Sequence, residues 1–128
     1  MTLLDASIII DALRSKDAQL FQSMISAKGA VCGVTPAEIL GGARGSTNQA
    51  KLVAILDRFQ QVEIPATMRD EVGAVQAELR ANGIAIPFAD AVLTAVSLSL
   101  DIEIWARDSH FVHAQQILPA LKLFCEPA

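Results

Sequence analysis

The stretch IPFADAVLTAVSLSLDIEIWARDSHF, residues 86–111, decides how this chain folds. From Ala89 to Leu100 it is apolar nearly all round, the pattern of a helix buried within a core rather than lying on a surface. IEIW, residues 102–105, follows with alternating faces and reads as a strand. A buried helix feeding a strand is the repeating unit of an α/β sheet protein. One charge interrupts the apolar pattern. Asp90 opens the buried helix, and no Lys or Arg lies within four residues of it. Burying a carboxylate without a partner costs several kcal/mol, so the stretch raises a question of chemistry as well as of fold.

Outward from this unit the same alternation recurs. TLLD, residues 2–5, reads as a short buried strand ending at Asp5, and Ser7–Arg14 as a helix with Ile8, Ile9, Ile10 and Leu13 on its apolar side. Leu20, Phe21, Met24 and Ile25 have helical spacing, which predicts a second helix over 17–27. AVCGV, residues 30–34, is the next strand. In VTPAEILGG, residues 34–42, Thr35, Pro36 and Glu38 form T-P-x-E, a capping-box start with proline at the first helical position. A helix over 48–60 carries Leu52, Ile55, Leu56 and Phe59 on one face, VEIP is a short extended piece, and a helix over 67–82 ends at Asn82–Gly83. After the central unit, ARDSHF is a loop opening onto a short helix near 111–116, and LKLF, residues 121–124, is expected to be a final edge strand. The expected class is α/β, with a mostly parallel central sheet flanked by helices, in one domain spanning 1–128.

Composition narrows the function. The chain has 128 residues, 52% of them hydrophobic, and a mean hydropathy of +0.41. That apolar excess suggests a surface covered by a partner, such as a second copy of the chain. No apolar run reaches the ~18 residues of a membrane span, and Asp5 and Asp11 interrupt the N-terminal apolar stretch, unlike a signal peptide. Cys32 and Cys125 each sit in a short apolar segment and are expected to be two buried free thiols, which points to a cytoplasmic protein. The net charge is −4. An extended nucleic-acid-binding coat is usually basic, so any nucleic-acid chemistry belongs to a focused site.

Four acids fall in equivalent places. Asp5 ends the first strand, Glu38 lies in the first turn after the second, Asp90 opens the buried helix, and Asp108 follows the IEIW strand. In an open parallel sheet these positions converge on one edge, where ligands bind. Each also has an ordinary structural role, as a helix cap, a first-turn acid or a turn residue. Four convergent carboxylates repel one another. A hard dication, Mg²⁺ or Mn²⁺, resolves that repulsion with oxygen ligands. No Cys/His spacing suits zinc, and His110 and His113 are read as surface residues. A carboxylate-held dication activates water and polarises phosphate. GGARGST lacks the lysine and spacing of a P-loop, so phosphodiester hydrolysis is the more natural reaction. Arg107, Arg44, Lys51 and Arg58 are candidate phosphate contacts, with Lys51 and Arg58 expected on one helix face. Trp105 is read as core or interface. Thr94 and Ser97 share the helix face of Asp90 and are candidate supporting donors, although hydroxyls that bond back to their own helix are commoner.

LLDASIIIDAL (3–13), VTPAEILGGARG (34–45) and ADAVLTAVSLSLDIEIWARDSHF (89–111), in this order, resemble a PIN-domain ribonuclease of the VapC toxin type. The resemblance covers essentially the whole chain. Asp5 matches the first acid of that pattern, with Ser7 at the polar position after it. Glu38 matches the second acid, with Gly42 four residues on. Asp90 matches the aspartate opening the central helix, and Asp108, flanked by Arg107 and Phe111, the last acid. The resemblance implies Mg²⁺- or Mn²⁺-dependent cleavage of RNA, homodimerisation, and inhibition by a cognate antitoxin whose tail enters the site. Two positions depart from it. Many relatives carry an aspartate where this chain has Phe88, and Thr or Ser where it has Ala106. Both departures bear on whether a second metal ion is held. The alternative is a catalytically degenerate PIN-fold module that binds protein or RNA. A phosphoacceptor receiver domain lacks support: Asp5 stands alone and no lysine follows IEIW.

Overall fold

The structure, a computed structural model, describes residues 1–127. Four short strands form its sheet: β1 (Thr2–Leu4), β2 (Gly29–Cys32), β3 (Gln60–Val62) and β4 (Glu103–Trp105). Their order is β3-β2-β1-β4 and all pairings are parallel. Among the described residues seven helices surround them: α1 (Ala6–Ser15), α2 (Ala18–Ser26), α3 (Val34–Gly41), α4 (Ser46–Leu56), α5 (Met68–Ala81), α6 (Phe88–Leu100) and α7 (His110–Ile117). The α/β class with a parallel sheet is therefore as expected.

Adjacent residues of β1 explain the layering. Leu3 and Leu4 are both fully buried, on opposite faces of the sheet. Leu3 belongs to a core built with Met68, Val72, Val75 and Leu79 of α5, the apolar side of α6, and Phe111 and Ala114 of α7. Leu4 belongs to a second core with Ile8, Ile9 and Ala12 of α1, Met24 of α2, Ile39, Leu56 and Trp105. A strand buried on both faces is a continuous apolar run, which is why TLL carries no alternation. Gly29 is required where β2 begins. A Cβ there would lie 2.8 Å from Leu4 Cδ1 and 2.8 Å from the Met24 carbonyl oxygen.

α6 is buried without interruption from Asp90 to Ser97, while Ser99 and Leu100 reach solvent. It ends at Asp101, whose left-handed backbone (φ 55°) closes the helix and whose carboxylate meets Lys122 Nζ at 2.8 Å. α5 stops at Ala81, and Gly83 supplies the positive φ (77°) that the Asn82–Gly83 pair predicted.

Several local expectations are corrected. α3 starts at Val34, capped at Gly33 without a side-chain bond, so T-P-x-E is not a capping box. Thr35 lies within the first turn and donates from Oγ1 to the Leu4 carbonyl at 3.2 Å, tying α3 to the end of β1. α4 ends at Leu56, so Lys51 and Arg58 do not share a helix face. The third strand is Gln60–Val62, ahead of most of VEIP. LKLF is not a strand: it contributes one parallel bridge, Leu123 to Ile104. Cys32 is buried, but Cys125 is exposed, because the tail only skirts β4. Trp105 is buried and stacks on Phe124 with ring centroids 4.2 Å apart.

Candidate active site

The strand order fixes where a ligand belongs. The chain passes from β1 to β2 to β3 in one direction, then returns to place β4 on the other side of β1. The sheet reverses its winding between β1 and β4, and the crevice beyond their C-terminal ends is the binding position in such folds. Asp5 follows β1 directly and Asp108 lies three residues past β4. The Asp5 N–H donates to the Trp105 carbonyl at 3.0 Å, so the pairing of β1 with β4 runs up to the site.

Asp5 is buried and caps α1. Its Oδ2 accepts the Ser7 N–H at 3.1 Å and the Ser7 hydroxyl at 2.6 Å. The same hydroxyl oxygen accepts the Arg107 N–H at 2.9 Å. Ser7 thus links the chain after β4 to the acid after β1. Burial and the nearby Asp108 raise the Asp5 carboxyl above its ordinary range, and the Ser7 bonds oppose that rise.

Asp90 lies in the first turn of α6, with only 8% of its side chain exposed. Desolvation, together with the charges of Asp5 and Asp108, pushes its pKa up to about 6, against the opposing hydrogen bond from His110. Glu38, on α3, is exposed. It makes no return bond to Thr35. Partial desolvation and the charges of Asp5 and Asp108 raise its carboxyl as well. The charge of Asp108 is thus felt by Asp5, Glu38 and Asp90, while the close group of ligand atoms contains Asp90 and Asp108 but not Asp5 or Glu38.

His110 is the residue that sequence reasoning missed. Its Nδ1 lies 2.7 Å from Asp90 Oδ2 and 3.3 Å from Asp108 Oδ1. Its backbone N–H donates to Asp108 Oδ1 at 2.9 Å, so Asp108 caps the turn that opens α7. His113 is exposed, as expected. The available signal was position: His110 follows Asp108 by two residues at the start of a helix, so the cap that fixes the acid also aims the imidazole.

Other candidates are placed elsewhere. Thr94 donates to the Asp90 backbone carbonyl at 2.8 Å and Ser97 to the Ile102 carbonyl, so both hydroxyls are spent on the backbone. The Arg107 guanidinium is held by Glu126 at 2.8 Å and by Asp11 at 3.4 Å, rather than standing free for phosphate. Arg44 is exposed on the connection between α3 and α4. Among the described residues, no Lys or Arg pairs with any of the four acids.

The sequence matches the PIN domain family profile over residues 2–116. The chain belongs to the PIN domain family. No curated protein matches this PIN domain in sequence. Solved structures do match in fold. One is VapBC2 from Rickettsia felis bound to a DNA fragment from its promoter, with a TM-score of 0.81, 18% identity, and 96% of each chain covered. Another is the DNA-bound VapBC from Salmonella typhimurium, with a TM-score of 0.78, 15% identity and 96% of each chain covered. VapBC-1 from nontypeable Haemophilus influenzae is similar at a TM-score of 0.76, with 17% identity and 96% coverage of each chain. At these identities the likeness concerns the fold of the PIN domain.

The donor set fits a divalent cation. Asp90, Asp108 and His110 each offer one ligand atom, all within 4.8 Å of one another. Among the described residues, Asp90 is a buried acid whose only ionic partner is an imidazole. Burial and, to a lesser extent, mutual repulsion raise Asp5, Glu38 and Asp90, and a dication offsets both by favouring the charged carboxylates.

Proposed function

We propose that this PIN domain is a metal-dependent endoribonuclease, the VapC-type toxin of a toxin–antitoxin pair. The observation that carries the reading is Asp90: a carboxylate at the head of a buried helix, raised to about 6 and facing further acids with no Lys or Arg partner. An arrangement that costs stability at neutral pH is explained by a cation that reverses the cost.

Asp5, Glu38, Asp90 and Asp108 would hold the Mg²⁺ or Mn²⁺. Bound there, the ion supplies Lewis-acid activation of water and stabilises charge on the phosphate. The chain's own groups do the rest. Ser7 fixes the Asp5 carboxylate through two hydrogen bonds, and the Arg107 N–H in turn fixes Ser7. The His110 N–H fixes Asp108. Glu38, exposed and with its carboxyl raised by partial desolvation and the charges of Asp5 and Asp108, would take a proton from the attacking water. Phe88 stands 65% exposed two residues before Asp90 and offers an unpaired base a face to stack on.

The partner half of the reading rests on likeness and on surface. The similar folds include chains described as toxin–antitoxin complexes. Phe88, Val112, Leu100, Val53 and Ile64 are large apolar side chains left exposed, as expected of a chain covered by an antitoxin and by a second copy of itself. No helix is long and apolar enough to cross a membrane among the described residues.

The test is RNA cleavage by purified protein with Mg²⁺ or Mn²⁺, with EDTA, and with Asp5→Asn and Asp90→Asn. Cleavage should require the dication and vanish in both variants. Cleavage that survives EDTA, or variants equal to wild type, would refute the reading.

A further inference from the structure

We propose that His110 is itself a metal ligand of this centre, through Nδ1, and that it gives the centre a preference for Mn²⁺ over Mg²⁺. The inference rests on the metal-dependent reading above and adds a nitrogen to an all-oxygen donor set.

The geometry supports it. In an octahedral site with metal–ligand distances of ~2.1 Å, neighbouring donor atoms sit ~3.0 Å apart. The His110 Nδ1 separations from Asp90 Oδ2 and Asp108 Oδ1, 2.7 and 3.3 Å, straddle that edge. The imidazole is not a loose side chain swung into place. Its own backbone N–H is bonded to Asp108 Oδ1, which ties the ring's attachment point to one of the acids. The side chain is 43% exposed, so one side of the ring meets solvent while Nδ1 faces the carboxylates. Ligation uses the tautomer protonated at Nε2, leaving the Nδ1 lone pair for the cation. His113, three residues further along α7, is exposed and serves as an internal comparison.

The chemistry of the donor sets selectivity. Mg²⁺ favours oxygen and resists giving up its waters. Imidazole suits first-row transition metals, and replacing one oxygen donor with nitrogen shifts the balance towards Mn²⁺. Carboxylates accept either cation, so the imidazole is the donor that strengthens the preference for Mn²⁺.

The experiment is metal binding by the purified chain, read by calorimetry and by pulsed electron paramagnetic resonance of bound Mn²⁺. The wild type should show the nitrogen coupling of a directly bound imidazole and bind Mn²⁺ more tightly than Mg²⁺. His110→Ala should abolish that coupling and weaken Mn²⁺ binding by roughly tenfold or more, as even outer partners of ligands do, with Mg²⁺ binding little changed. His113→Ala should leave both intact. Mn²⁺ bound by wild type without nitrogen coupling overturns the inference and leaves the four-acid centre standing. Equal or tighter Mn²⁺ binding by His110→Ala does the same, because the imidazole is then only a hydrogen-bond partner of Asp90. Failure of wild type to bind either cation overturns the metal-dependent reading along with this one.

Discussion

Asp90→Asn separates the stability of this fold from its chemistry. The carboxyl of Asp90 stands at about 6 against an ordinary 3.8. Each pKa unit corresponds to ~1.4 kcal/mol, so ionised Asp90 costs the metal-free fold at most ~3 kcal/mol. The sign follows from which state holds the proton. The folded pKa is raised, so the native state binds more protons than the unfolded state between these two values, and stability falls as pH rises. Relative to the protonated form, the cost is absent below about 3.8, grows through the interval, and is constant above about 6. Asparagine keeps the shape and can still accept the His110 hydrogen bond, but it has no charge to bury. Metal-free Asp90→Asn should therefore match wild type near pH 4 and exceed it by ~2–3 kcal/mol at pH 7–8. Urea unfolding in EDTA at a series of pH values measures this directly. Mn²⁺ at a thousand times its Kd should then reverse the order, since it stabilises only the form that binds it, by ~4.1 kcal/mol. A stability difference that stays flat from pH 4 to pH 8, or a variant less stable than wild type throughout, would refute the claim that burial and its acidic neighbours raise the Asp90 carboxyl.

Phe88→Ala removes the exposed ring two residues before Asp90 without touching an acid. Stacking of one base is worth ~1–3 kcal/mol, so KM for a single-stranded RNA substrate should rise roughly tenfold with kcat little changed, as steady-state cleavage would show. An unchanged KM accompanied by loss of self-association would instead assign the ring to a protein interface. Gly29→Ala should destabilise the chain by ~1–3 kcal/mol in thermal unfolding, the usual cost of overpacking, because the added methyl meets the Met24 carbonyl, which is backbone, at 2.8 Å. Stability equal to wild type would show that β2 can shift away from α2.

Three of the four strands were legible as apolar stretches, β1 and β4 with acids close behind them, whereas β3, the polar and mostly exposed Gln60–Val62, carries no such signal. Asp5 and Asp108 were placed by position alone, and the buried helix was recognised from its lack of a polar face. What the sequence hid was the use of polar groups. Thr35 has the chemistry of a cap, yet its hydroxyl goes to the Leu4 carbonyl, a partner 31 residues away. Arg107 has the chemistry of a phosphate contact, yet the tail returns Glu126 to it. LKLF has strand composition, but only Leu123 bridges to β4. Each competing partner is distant in sequence, and local pattern carries no record of it. His110 was missed for the same reason: Asp108 is only two residues away, but Asp90, which defines its role, comes from a different element 20 residues away.

The architecture explains why these residues can be so poorly neutralised and still persist. α6 contributes eight successive buried residues, Asp90 through Ser97, packed against α5, the sheet and α7. Seven of those eight carry no charge, so burial of apolar surface at ~25 cal/mol per Å² can outweigh one carboxylate costing ~3 kcal/mol. The cost is confined to the first turn, where the helix dipole is favourable to an acid and where the parallel sheet reverses its winding. One turn further along the helix, at the position of Thr94, the side chain is fully buried. The strongest apolar element of the fold thus holds the acid at the one end where a cation can reach it.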